Sequence, residues 1–222
     1  MNFTWTNNAD KETPDKESTE ESSESLKSEL MQQLEGSMDS MRSMALYGDI
    51  NEEKASEIVG GLLALHHMGK SVEEQDAKAI EMFVSTYGGC ADDMFSIVDI
   101  MSVVKRDCKI KTIGIGKVMS AGVLILASGT KGERYIGKNC RVMLHAVSAG
   151  HHGTLHNLEN EIEEVRKLQD LYIENLITET NLTKKQIRAF LRRKSNVYLG
   201  AEEAIKYGIA DKIYGEDEDG ER

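Results

Sequence analysis

The chain of 222 residues has one proline, Pro14, and it lies in the N-terminal tail, so no proline interrupts the sequence that follows. Cysteine is almost as scarce. Cys90, Cys108 and Cys140 are widely spaced, each in or beside an apolar segment, which points to reduced, buried thiols and to neither a disulfide framework nor a metal site. No run of 18 or more apolar residues occurs, and the polar N-terminus has none of the charged start and apolar stretch of a secretory signal; no membrane partner and a cytoplasmic location are expected. Basic residues are in deficit too. With 27 Lys and Arg against 38 Asp and Glu the net charge is −11, which argues against nucleic-acid binding through a basic face.

What charge there is sits mostly at one end. Residues 1–40 hold 10 Asp and Glu against 3 Lys, a net −7 that leaves only −4 for the rest. Rich in Ser, Glu, Lys, Asp and Thr, this segment cannot bury enough apolar surface to offset its ordering entropy, so a disordered acidic tail is expected over 1–40. The preferred reading is a solvated tail, with a removable propeptide, a docking arm or an acidic plug near a pore as alternatives. A second acidic tail is expected over 216–222. Between them, the overall 40% hydrophobic content suffices for one core, placed in a domain over 41–215.

Strand and helix signals alternate in that domain. Strands are predicted over 44–49, 80–86, 110–115, 133–136 and 141–144, and helices over 52–67, 92–104 and 121–128. The alternation implies an α/β fold with a mostly parallel sheet and helices on both faces. Residues 154–180 are predicted as a long helix carrying Leu155, Leu158, Ile162, Val165, Leu168, Tyr172 and Leu176 at 3-4 spacing. That stripe is narrow for a core helix and suits packing against another helix. His151, His152 and His156 beside it have no Cys or carboxylate at ligand spacing, so they are read as solvated and no metal is assigned.

The most informative stretch runs from Gly114 to His145. Ser120 falls between an apolar strand and a small-residue helix, and His145 closes a second short apolar strand. A strand-to-helix turn exposes a serine hydroxyl and aims free N–H groups and the positive helix end at the same point, as an acyl-transfer nucleophile requires. Alone, either residue has a plainer explanation, Ser as a helix cap and His as a core residue. The paired Gly88-Gly89 after the 80–86 strand changes the weighing, because two glycines let the backbone approach a substrate and offer another N–H.

In this order and spacing, Leu46-Tyr47-Gly48-Asp49-Ile50, Gly88-Gly89, the Gly116–Gly122 serine turn, Arg141-Val142-Met143-Leu144-His145 and the closing segment Ala201–Asp211 resemble the proteolytic subunit of the Clp protease. The resemblance implies a ClpP/crotonase-like fold of repeated strand-strand-helix units with a protruding handle over 149–192. It also implies a serine-type endopeptidase with Ser120 as nucleophile, His145 as general base, and the N–H groups of Gly89 and Ala121 as oxyanion donors. Substrate would add as a strand beside Gly88 and Gly89. The implied partners are further copies of the chain in stacked heptameric rings, unfolded polypeptide substrates, and a separate ATP-driven AAA+ unfoldase. No cofactor is implied, and ATP has no site here because a Gly-x-x-x-x-Gly-Lys-Ser/Thr loop is missing.

The third triad position departs from that family. Asn196 stands where the family has aspartate, and Asn can orient an imidazole but cannot stabilise imidazolium with a full charge. Three readings follow: Asn196 is a working orienter, another carboxylate such as Asp211 reaches His145, or the subunit is catalytically impaired and structural. A crotonase-like acyl-CoA enzyme is a further alternative, weakened by the Ser120–His145 spacing.

Overall fold

The computed structural model describes residues 42–69, 79–150, 152–192 and 196–216. The acidic tail expected over 1–40 lies outside the described residues, as do His151 and all but Glu216 of the C-terminal one. The architecture is mixed α/β. Its strands are β1 (Ser43–Tyr47), β2 (Ile80–Thr86), β3 (Ile110–Met119), β4 (Arg134–Ile136), β5 (Arg141–Leu144), β6 (Val197–Leu199) and β7 (Lys212–Ile213). Its helices are α1 (Glu52–Gly69), α2 (Ala91–Val104), α3 (Ala121–Ala127), α4 (Leu155–Glu179), α5 (Lys184–Arg192) and α6 (Ala201–Lys206).

The sheet runs β1-β2-β3-β4-β7, with β5 branching from β3 and β6 pairing β5; every pairing is parallel except β5 with β6. The strand over 110–115 extends to Met119, because Gly116, at φ 66, bends the chain without ending it. Thr112–Gly114 then pair with β4 and Lys117–Met119 with β5. The chain thus repeats a strand, a second pairing segment and a helix, the two strand segments being the halves of β3 in the third turn and β4 and β5 in the fourth. The second strands shrink to single pairings in the first two turns, Ile50 with Gly89 and, past a bulge, Thr86 with Val118. Gly89, Ser120 and His145 all fall at the carboxyl ends of these second strands, the edge where parallel sheets place their ligands.

Local chemistry explains the elements. Asn51 Oδ1 accepts the Lys54 N–H at 2.9 Å to start α1, which buries Ala55, Ile58, Leu62 and His66 on one face. All seven residues of α3 are buried, so it is the central helix of the core. The sequence reading gave no element over 184–192, yet α5 forms there. Gln186 Oε1 accepts the Thr183 N–H at 2.9 Å in a capping box, and Ile187 and Leu191 dock on the core.

The stripe on the long helix divides in two. Tyr172, Ile173 and Leu176 are buried in the domain's own core, whereas Leu155 is 68% and Ile162 51% exposed. The second half of the stripe therefore packs within the chain's own core, against the expectation of a single surface for another helix, and the first half is left exposed at Leu155 and Ile162.

Asp211 serves the fold. Its Oδ2 accepts from the Gly132 N–H at 2.7 Å and from Arg134 Nε at 2.8 Å, and its Oδ1 accepts from Arg134 Nη2 at 2.5 Å. The same guanidinium donates to Ala127 O and Glu179 O, so it ties the ends of α3 and α4 to β7. Burial would raise the Asp211 carboxyl, but the Arg134 hydrogen bonds and charge outweigh it and hold the pKa below the ordinary carboxylate value. The reading in which Asp211 reaches His145 is overturned, because both its oxygens are engaged with β4.

Candidate active site

β3 ends at Met119 and α3 begins at Ala121, which leaves Ser120 alone to reverse the chain. It does so at φ 54 and ψ −121, the one positive φ among the described non-glycine residues. Such a conformation costs about 1–3 kcal/mol and persists only where neighbours over-determine it. The Ser120 N–H donates to Met143 O at 2.7 Å, and its carbonyl accepts the Val123 N–H at 3.0 Å. The Tyr172 hydroxyl from α4 donates to the same carbonyl at 3.0 Å.

β5 carries His145 alongside. Lys117–Met119 pair with Arg141–Met143, so the residue after Leu144 emerges beside the serine turn, and His145 Nε2 lies 2.8 Å from Ser120 Oγ. That contact is an ordinary hydrogen bond, with the tautomer left open by geometry.

The Gly88-Gly89 turn closes the third side. A Cβ on Gly88 would stand 2.5 Å from Ser120 Cβ, and one on Gly89 would stand 2.0 Å from Ile50 O, so only glycine permits this approach. Gly88 is held by its N–H to Thr86 Oγ1 at 2.9 Å and by its carbonyl to the Ile50 N–H at 2.9 Å. The Ala121 N–H, first of α3, has no intrahelical acceptor. Gly89 and Ala121 both line a cleft of about 250 Å³ with Ser120 and His145, walled by Met94, Val165, Leu168 and Tyr172.

Asn196 precedes β6, and the Leu144–Val197 pairing puts it next to His145 along the antiparallel ladder. Its exposed amide nevertheless donates to the Tyr198 hydroxyl at 3.4 Å, and among the described residues the His145 ring bonds only Ser120. Cys108 and Cys140 are buried, and burial pushes the Cys140 thiol up to about 11. Cys90 departs from expectation: it is exposed on the cleft wall, because the Gly88-Gly89 turn delivers it to the surface before α2 begins.

Two residues escaped the sequence reading. Tyr172 looked like one more stripe position, since a periodic pattern does not reveal that a hydroxyl meets a carbonyl 52 residues away. Asp92 is the one carboxylate among the described residues that line the cleft, and its place two residues after Cys90 is the signal the sequence holds. Among the described residues no three His, Cys, Asp or Glu side chains converge to hold a metal ion, and no helix is long and apolar enough to cross a membrane. The serine turn, the histidine and the glycine turn sit on one α/β frame, and a family model described as Clp protease matches residues 26–217, most of the 222; the chain belongs to the Clp protease family.

Proposed function

We propose that this chain is a serine-type endopeptidase subunit that hydrolyses unfolded polypeptides inside a ring-shaped chamber, fed by a separate ATP-driven unfoldase. The observation that carries the reading is the 2.8 Å contact between His145 Nε2 and Ser120 Oγ at a strained strand-to-helix turn. An extended peptide lies along Gly88-Gly89 with its carbonyl carbon at Ser120. His145 takes the hydroxyl proton as Ser120 Oγ bonds that carbon, and the N–H groups of Gly89 and Ala121 receive the oxyanion. The tetrahedral species collapses by breaking the C–N bond, His145 gives its proton to the leaving amine, and water then hydrolyses the acyl-enzyme by the same steps. Asn196 is the third member, accepting from the second ring nitrogen of His145 once its amide leaves Tyr198.

A second reading, an impaired structural subunit of a Clp-type ring, draws on the Asn196–Tyr198 contact, which leaves His145 without an orienter. An active-site fluorophosphonate separates the two. The peptidase is labelled, Ser120→Ala is not, and the label tracks cleavage of an unstructured peptide; a parent chain that is neither labelled nor active is the structural subunit.

A further inference from the structure

We propose that Tyr172 is a positioning residue for the oxyanion-binding peptide, acting from α4 on the carbonyl of the nucleophile itself; the inference rests on the serine-peptidase reading above. The Ser120 carbonyl and the Ala121 N–H are the two ends of one planar peptide unit. Whatever fixes the carbonyl end therefore aims the N–H end. Tyr172 Oη lies 3.0 Å from Ser120 O, while Ala121, whose N–H is an orphan donor of the first helical turn, lines the cleft.

Three features make this contact more than packing. Ser120 holds a strained φ of 54, which persists only under restraint, and the phenol adds to the local Val123 N–H a second donor on the same carbonyl, brought from a different helix. Tyr172 is only 5% exposed, so water does not compete for the hydroxyl, and it belongs to the same buried core as Ile173 and Leu176. A donor on a carbonyl oxygen also polarises the peptide and strengthens the N–H at its far end, by about 10–30% in hydrogen-bonded chains. The oxyanion develops only in the tetrahedral intermediate and the transition states that flank it, so the benefit belongs to turnover and not to substrate binding.

Tyr172→Phe removes the donor and keeps the ring, and Ser120 O still accepts from Val123, so no buried group is orphaned. The expected result is unchanged assembly with a melting temperature lowered by no more than about 2–4 °C, an unchanged KM for an unstructured peptide, and a kcat lowered about fivefold, the worth of one hydrogen bond. Affinity for a peptide aldehyde, which mimics the tetrahedral oxyanion, falls by the same factor. A parental kcat, or a loss carried by KM instead, overturns the proposal. The parent is treated with fluorophosphonate in parallel. If Ser120 is not acylated, the peptidase reading fails and this inference with it; if it is acylated and Tyr172→Phe turns over at the parental rate, only the role of Tyr172 falls. Should Tyr172→Phe lose its cooperative melting, 3-fluorotyrosine at position 172, a stronger donor of nearly the same shape, decides: kcat rises about twofold at constant KM, and an unchanged kcat overturns the proposal.

Discussion

At the level of single residues, Asn196 stands next to His145 along the ladder without bringing it a charge. The β5–β6 ladder brings it beside His145, so Asn196→Asp needs no backbone change to offer a carboxylate to the imidazole. Loss of the aspartate in a serine protease costs about 10⁴ in turnover, so restoring it here is expected to raise kcat for an unstructured peptide by at least about tenfold. An unchanged rate would mean that a different group orients His145. Asp92 gives a second test at this scale. Among the described lining residues it is the one carboxylate and there is no Lys or Arg, so a substrate with a basic side chain nearby is expected to be favoured. Matched Lys and Glu peptides are expected to differ about three- to tenfold in kcat/KM, falling toward parity in Asp92→Asn and at high salt.

At the scale of elements, what the sequence disclosed depended on how local the cause was. The strand over 80–86 and the one over 141–144 stand where their apolar runs put them, and Gly88-Gly89 and Ser120 signalled a turn because their chemistry is local. β6 and β7 were not legible, being three and two residues long and set by pairing partners far away in the chain. The length of β3 is hidden for the same reason: Gly116 reads as a stop until β5 is there to continue the ladder. The close approach of neighbouring turns makes its own prediction. Gly88→Ala forces a Cβ within 2.5 Å of Ser120 Cβ at φ 103, and is expected to abolish fluorophosphonate labelling and lower the melting temperature by about 2–8 °C. A labelled, fully stable Gly88→Ala would show that the turn has room that this packing denies.

For the molecule as a whole, one clasp holds several layers. Arg134 joins Asp211 while donating to carbonyls at the ends of α3 and α4, so the helix that follows Ser120 and the helix that carries Tyr172 share an anchor. Removing one partner of such a pair leaves the other charge buried and unmatched, and Asp211→Asn is expected to cost about 3 kcal/mol at neutral pH. The pH dependence follows from the direction of the shift. The folded carboxyl titrates below its unfolded value, so its contribution is present above the unfolded pKa near 3.8 and is lost as pH falls through the folded pKa. Denaturant melts of the parent and of Asp211→Asn should therefore differ by a constant amount from pH 7 down to about 5, then converge in stronger acid. A gap that persists undiminished to the lowest pH at which the parent folds would mean that packing of the Asp211 side chain, and not its charge, carries the clasp.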